Sequence, residues 1–350
     1  MLPVKILTPK SIPLNESAIF EGDAHDILRR LPSDSVQCVV TSPPYWGLRD
    51  YQIEGQIGLE PTLAGFVQSL TAVFAEVRRV LKPTGILWLN IGDGYTSGNR
   101  GWRAPDKKNP NRAMNVRPDN PPGLKDKDLL GIPWRLALAL QDNGWFLRSD
   151  IVWHKPNAMP ESVKDRPTRA HEYLFMLTKS AHYTYDHEAI QERAEDGSKR
   201  NRRTVWNINT LSSGTSHIAA FPAALVEPCI LAASKPGDFV LDPFFGSGTV
   251  GVVAQRLGRR YLGVELNPAY VAEAIWALAT TLSGGGTNGY RYRPENDNEL
   301  EPTLLETPND YGNSAGCVPP LISSGGAISY NQESQPDATK QRARRNGSRK

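Results

Sequence analysis

Cysteine is scarce in this chain: Cys38, Cys229 and Cys317 are the only three among 350 residues, and no two form a CxxC pair. That excludes a disulfide framework and a zinc ribbon. Long hydrophobic runs are missing as well. No stretch approaches the ~18 apolar residues of a membrane span, so no membrane partner is expected. The opening residues, MLPVKILTPKSIPLNES, lack the apolar core and cleavage site of a signal peptide, and a cytoplasmic location is the expectation. Nor does one sign of charge dominate. Forty Lys and Arg against 37 Asp and Glu leave +3, so any surface for nucleic acid must be local. The six histidines form no HExxH or paired ligand set, so no metal is expected. His171, ahead of Glu172, reads as a structural hydrogen-bonding group.

What is present suffices for a sizeable core. Hydrophobic residues make up 39%, and glycine brings the total near the ~45–50% of globular chains. The length fits one large α/β domain with additions. Strands are predicted at 18–22, 36–41, 85–91, 146–153, 172–178, 238–242 and 260–265. Helices are predicted at 24–31, 62–81, 130–142, 221–234, 249–257 and 268–281. The clearest is LAGFVQSLTAVFAEVRRVL, in which Phe66, Leu70, Val73, Phe74, Val77 and Leu81 recur at helical spacing. Strands alternating with helices predict a largely parallel sheet of seven strands with helices on both faces.

Three segments fall outside this pattern, and none contains an internal repeat. Residues 99–127 carry eight Lys and Arg, Lys107 and Lys108 among them, against three acids; a loop of this length in a compact domain is usually functional or mobile. Residues 187–216 gather Lys199, Arg200, Arg202 and Arg203. From about residue 283 onward apolar clusters disappear, and the chain ends in KQRARRNGSRK. Such a stretch cannot bury enough apolar surface to offset chain entropy, so 283–350 is expected to be a disordered tail after a domain spanning 1–282.

Two motifs carry chemistry. Asp242-Pro243-Phe244-Phe245-Gly246-Ser247-Gly248-Thr249-Val250-Gly251 follows an apolar strand and opens a helix. Glycines there let a ligand approach the backbone, and a helix N-terminus offers free N–H donors. Glu265, about twenty residues on, ends the next strand, where a carboxylate can accept from ribose hydroxyls. A formal GxGxxG alone fits a nicotinamide dehydrogenase or a turn with no ligand. An acid beside the turn suits a cationic or polyhydroxyl ligand better than a pyrophosphate. The position near the C-terminus also leaves too little chain for a dinucleotide fold's second half. The other motif, Thr41-Ser42-Pro43-Pro44-Tyr45-Trp46, follows an apolar strand with a rigid turn poor in donors. Held carbonyls, the Ser42 hydroxyl and the flat faces of Tyr45 and Trp46 suit a planar base with an exocyclic amine; an ordinary proline-rich turn is the plain alternative.

Together, SPPY after one strand and DPFFGSGT after another resemble the hallmark motifs of the amino-group DNA methyltransferases. Their order resembles the permuted β-type arrangement. The resemblance spans roughly residues 15–282, through EGDAHDILRRLPSDSVQCVVTSPPYW, VRRVLKPTGILWLNIGD, DIVWHKPNAMPESVKDRPTRAHEYLFMLTKS, HIAAFPAAL and GVELNPAY. It implies a Rossmann-like fold with seven strands in permuted order, and S-adenosyl-L-methionine lying across the strand ends. Carried over by position, Phe244, Gly246, Gly248 and Thr249 would form the cofactor turn. Asp242 would face the methionine end, Glu265 the ribose and Asp23 the adenine amine, with His217 and Phe221 flanking the methionine. Ser42 and the Pro43 carbonyl, in the rigid turn completed by Pro44, would accept the hydrogens of the target amine while Tyr45 stacks on a flipped base. The amine would then attack the sulfonium methyl directly, without a covalent enzyme intermediate.

Within the family, Ser before Pro-Pro-Tyr resembles the cytosine-N4 enzymes, with adenine N6 as the alternative. DNA is the expected partner, with Arg200, Arg202, Arg203, Lys107 and Lys108 as candidate contacts and a cognate restriction endonuclease as a candidate companion. A catalytically inactive DNA-binding protein on the same scaffold is the rival of another class. Pro228-Cys229 mimics the nucleophile dipeptide of cytosine-C5 methyltransferases, but it lies in a helix-like run before the cofactor strand, so Cys229 is expected to be a core thiol. Cys38, within a strand, is expected to be structural as well.

Overall fold

The segment LAGFVQSLTAVFAEVRRV becomes a helix because its apolar residues fall on one stripe and its first turn is capped. The Thr62 hydroxyl accepts from the Gly65 N–H at 3.0 Å. A computed structural model describes residues 14–48, 50–51, 53–96, 120–210 and 221–282 of the chain. Lys107, Lys108, His217, Cys317 and the whole tail from 283 lie outside the described residues.

In chain order the elements are β1 (Ala18–Glu21), α1 (Ala24–Leu28), β2 (Val36–Thr41), α2 (Leu63–Val80), β3 (Leu81–Ile91), α3 (Ile132–Asp142), β4 (Phe146–His154), β5 (His171–Thr178), β6 (Glu192–Arg193), β7 (Lys199–Arg200), β8 (Val205–Asn207), α4 (Ala223–Ala233), β9 (Phe239–Asp242), α5 (Thr249–Arg256), β10 (Arg260–Glu265) and α6 (Pro268–Leu282). The main sheet runs β1-β10-β9-β2-β3-β5-β4-β8. Every pairing in it is parallel except the two made by β5.

Side chains alternate across the sheet and so build two cores. Phe20, Val39, Leu87, Leu89, Phe175, Leu241 and Leu262 face α1, α2 and α3. Ile19, Cys38, Val40, Trp88, Leu174 and Val240 face α4, α5 and α6. The result is a three-layered α/β domain, as the alternation of strands and helices predicts.

All seven predicted strands and all six predicted helices are present, most with ends within a residue or two. The strand count needs correction: the sheet has eight, because β8 adds to the edge beside β4. Only Trp206 of β8 is buried, between the exposed Val205 and Asn207. A three-residue strand with one apolar contact has no periodicity to detect. The small antiparallel pair β6–β7 is a second element that the 187–216 segment did not announce.

Near the glycine motif one aromatic fixes the packing. Phe245 is 3% exposed and lies flat over β10, where a Cβ on Gly263 would stand 2.4 Å from its ring. A Cβ on Gly251 would stand 2.6 Å from the same ring. Glycine is required at both places by close approach. Gly263→Ala is therefore expected to destabilise the protein by about 1–3 kcal/mol through overpacking, read as a lowered midpoint in urea with an unchanged slope.

Candidate active site

Four parallel strands, β1, β10, β9 and β2, lie side by side, and their C-terminal ends carry Asp23, Glu265, Asp242 and Thr41-Ser42 in that spatial order. From β9 the chain passes through α5 to β10, and from β2 through α2 to β3, on opposite faces of the sheet. The boundary between β9 and β2 is thus a topological switch point, where open α/β sheets leave a crevice for ligands. Across it the Thr41 hydroxyl donates to Asp242 Oδ1 at 2.7 Å. Motifs 200 residues apart in sequence are joined directly.

Asp242 is 2% exposed, and burial raises its carboxyl from an ordinary 3.8 to about 7. Hydrogen bonds from Thr41 and from the Phe244 N–H, at 3.0 Å, pull it down, and the charge of nearby Glu265 pushes it up. Glu265 is itself raised by burial, although its carboxylate accepts the Gly246 N–H at 2.7 Å and the Asn267 N–H at 2.8 Å.

Ahead of α5 the N–H groups of the turn itself are largely engaged. Phe244 donates to Asp242, Gly246 to Glu265, Phe245 to the Val264 carbonyl and Gly248 to the Phe245 carbonyl. With those groups engaged, a pyrophosphate finds two carboxylates where it needs donors. A cation and hydroxyls fit the same surface well. Gly246 and Gly248 hold φ of +51° and +85°, values that side chains other than glycine rarely adopt. At Gly248 a Cβ would also stand 2.9 Å from that of Ala274. Thr249 opens α5 directly after this turn.

At the other motif Pro43 is buried, Ser42, Pro44 and Tyr45 are half-buried, and Trp46 is buried. The Trp46 indole donates to the Glu60 carbonyl at 2.8 Å, so this ring belongs to the core and offers no face to a ligand. Tyr45 stands differently. Its hydroxyl donates to Glu172 Oε2 at 2.9 Å. Burial and the charge of Glu172 push the phenol well above its ordinary value, while hydrogen bonding with Ser42 and the Gly92 backbone pulls the other way. Glu172 also accepts from Asn90 Nδ2 at 3.2 Å and pairs with the Lys155 ammonium. These residues were not singled out from the sequence. The one signal for them was that Glu172 follows His171 within an apolar strand.

The remaining expected residues divide. Phe221 lies over the second core near the end of β2, in a recess it shares with Val40, Thr41 and Asn90. Asp23 caps α1 by accepting the Asp26 N–H at 3.0 Å. Asp23, His25 and Asp26 bring their ligand atoms within 4.8 Å of one another, a grouping that partly exposed acids often make without an ion. Glu192 accepts from Arg200 Nε at 2.9 Å and Arg203 Nε at 2.7 Å, and the Arg202 guanidinium lies 4.5 Å from the centroid of the Trp206 ring. Each of the three arginines thus has an internal partner. Cys229 and Cys38 are buried, with thiols pushed up by that burial, which fits core thiols and not nucleophiles.

Residues 36–275 match the family described as DNA methylase, whose members act on N6 or N4 amino groups. The chain belongs to this family. Among curated relatives, the Type II methyltransferase M.Cfr9I of Citrobacter freundii is 64% identical over 287 residues, covering 82% of this chain and 94% of the relative. The Type II methyltransferase M.SmaI of Serratia marcescens is 57% identical over 263 residues, covering 75% and 90%. Among solved structures, TTHA0409 of Thermus thermophilus, complexed with S-adenosyl-L-methionine, superposes with a TM-score of 0.53 at 29% identity, covering 76% of this chain and 94% of that one. The cytosine-N4-specific PvuII DNA methyltransferase gives 0.57 at 22% identity, covering 77% and 94%, a likeness of fold. A dehydrogenase is set aside. In this DNA methylase no helix of the described residues is long and apolar enough to cross a membrane.

The raised Asp242 carboxyl has a consequence for stability. In the unfolded chain it loses its proton near 3.8 and in the folded protein near 7, so between these values the native state holds more protons. Its contribution to stability therefore falls as pH rises from about 4 to about 7 and is level above that. Asp242→Asn keeps an acceptor for Thr41 and Phe244 but cannot ionise. The unfolding free energy of this variant relative to the wild type is expected to climb across the same window, measured by urea titration of the unliganded protein at several pH values.

Proposed function

We propose that this DNA methylase modifies cytosine at N4 within a specific DNA sequence. The enzyme is a DNA amino-methyltransferase, and its methyl donor is S-adenosyl-L-methionine, which supplies an electrophilic methyl group on a sulfonium. The donor set at the strand ends fits that molecule. Asp242 offers a carboxylate to the cationic end, where a positive charge offsets the burial that raises its pKa. Glu265 retains lone pairs for ribose hydroxyls beyond those taken by Gly246 and Asn267, and Asp23, one strand further, stands where an adenine amine would be received. Phe244, Gly246, Gly248 and Thr249 shape the turn, and Phe221 closes the methionine side, a place His217 shares in this reading.

The observation that carries the reading is the hydrogen bond from Thr41 to Asp242, which sets the Ser42-Pro43-Pro44-Tyr45 turn beside the cofactor strand. An exocyclic amine is conjugated with its ring and is a weak nucleophile. Ser42 Oγ and the Pro43 carbonyl accept its two hydrogens and so favour the pyramidal form whose lone pair is free. Tyr45 stacks on the flipped base. Proximity and placed acceptors lower the barrier, with no covalent bond to the protein. Ser in place of Asp before Pro-Pro-Tyr, the feature resembling the cytosine-N4 enzymes, favours N4 over adenine N6.

DNA is held by its phosphates as well as read by its bases. Arg200, Arg202 and Arg203, fixed by Glu192 and Trp206, form a short basic edge for this purpose, with Lys107 and Lys108 as a second candidate surface. Work opposite a cognate restriction endonuclease is the biological setting that its Type II relatives support.

Three experiments test this. Ser42→Ala is expected to lower kcat by about a hundredfold, with S-adenosyl-L-methionine affinity changed by less than about twofold, because the acceptor matters as the amine rehybridises. Nucleoside mass spectrometry of the product DNA is expected to show N4-methylcytosine; N6-methyladenine in its absence would sink the cytosine assignment. Replacing Arg200, Arg202 and Arg203 with Gln is expected to weaken DNA binding and to reduce the slope of log K against log salt by about 1–3. An unchanged slope would move the phosphate contacts elsewhere.

A further inference from the structure

Glu172 stands at the start of β5, and its side chain is 16% exposed. Donors from three other elements converge on it. From the turn after β2, the Tyr45 hydroxyl reaches Oε2 at 2.9 Å; from β3, Asn90 Nδ2 reaches the same oxygen at 3.2 Å; just beyond β4, the Lys155 ammonium pairs with Oε1. Asn90 is itself held, donating also to the Tyr173 carbonyl at 3.1 Å. The Lys155 ammonium lies 4.3 Å from the centroid of the Trp153 ring. Gly92 leaves the space in which Tyr45 and Glu172 meet: a Cβ there would stand 2.7 Å from Tyr45 Cε2 and 3.3 Å from Glu172 Oε1.

A sheltered carboxylate with this many partners has little freedom. Asn90, Lys155 and Glu172 sit on or next to β3, β4 and β5, whereas Tyr45 sits in a turn. The direction of constraint is therefore from the sheet to the tyrosine. Proline at 43 and 44 restrains the backbone of that turn, but a tyrosine side chain still rotates about two bonds. Fixing the phenol oxygen at its far end removes the freedom about Cα–Cβ; about Cβ–Cγ, whose axis runs through that oxygen, the ring plane is restrained by the preference of the O–H for the plane of the ring and by the close backbone of Gly92.

We infer that Glu172, clamped by Lys155 and Asn90, is a positioning residue that sets the angle of the Tyr45 ring against the target base. This rests on the stacking role proposed for Tyr45. Loss of the anchor leaves the stacking area intact and spreads the orientations of the base, so the effect belongs to turnover and not to binding.

Tyr45→Phe keeps the ring and deletes the hydroxyl, with its bond to Glu172 and those to Ser42 and the Gly92 backbone, and the double variant isolates the part that runs through Glu172. It is expected to lower kcat about tenfold while KM for DNA and affinity for S-adenosyl-L-methionine change by less than about twofold. Glu172→Ala is expected to lower kcat at least as far. The double variant should be no slower than Glu172→Ala alone, because one interaction is removed once. Rates are read as tritium transferred from labelled S-adenosyl-L-methionine to unmethylated bacterial genomic DNA, whichever base receives it. A wild-type kcat in Tyr45→Phe overturns the inference, as do losses that multiply in the double variant. If Glu172→Ala does not fold, the Tyr45→Phe rate and its KM still decide. Absence of transfer by the wild type would instead overturn the methyltransferase reading itself, so the two failures are distinct.

Discussion

The pairing of β2 with β9 is the constraint on which the site depends. These strands are brought side by side in parallel, Cys38 opposite Val240 and Val39 opposite Leu241, and no short connection enforces it. Their last residues are the buried pair Thr41 and Asp242, bonded at 2.7 Å. A slip of one residue would turn Asp242 out of the crevice and into apolar packing, and would leave Thr41 without its acceptor. Register is thus specified by two polar atoms at the end of an otherwise hydrophobic ladder. Ser42, Phe244 and the glycine turn take their places from it. Since buried carboxylates are tolerated only with partners, the same bond that aligns the strands helps to keep Asp242 where it is.

Most of this architecture was legible because the buried elements are long and strongly patterned. VQCVVT, buried at every position, and the amphipathic α2 leave little choice of structure. Asp242, Glu265 and Ser42 were legible for another reason: each stands at, or one residue past, the polar end of an apolar strand, where a parallel sheet opens. What escaped was either short or mutual. Strand β8 rests on Trp206, and the β6–β7 pair is held partly by Glu192 bridging Arg200 and Arg203, contacts between charges that read as an ordinary solvated segment. Glu172, Asn90 and Lys155 are unremarkable singly, and their significance lies in a convergence that spacing along the chain cannot show. Trp46 errs in the opposite sense, since an aromatic beside a ligand motif proves to be a wall of the core with its indole tied to Glu60.

Electrostatically the crevice is acidic at the strand ends proposed to hold the cofactor and uncharged at Ser42 and Pro43, the proposed acceptors for the amine. Asp23, Glu265 and Asp242 occupy three adjacent strand ends, close enough that Glu265 raises Asp242. A ligand bearing one positive charge and several hydroxyls relieves this repulsion, whereas a polyanion aggravates it. Such a surface discriminates among nucleotide-like molecules before any contact with the base is considered.

The reversal of β5 has a different kind of consequence. Because this strand alone runs against its neighbours, the connection from β4 to β5 both leaves and re-enters at the crevice rim, its base closed by the Lys155 N–H donating to the Ala170 carbonyl at 2.8 Å. Residues 156–169 therefore form an excursion at that end of the sheet, tied to neighbouring loops by Asn157 Nδ2 donating to the Thr210 carbonyl at 3.0 Å and by Lys127 donating to Asp165 at 2.8 Å. Such an excursion can lengthen, shorten or change composition without re-registering a single strand. The fold thus separates a floor of strand ends, fixed by the register of the sheet, from a rim whose length the sheet does not dictate.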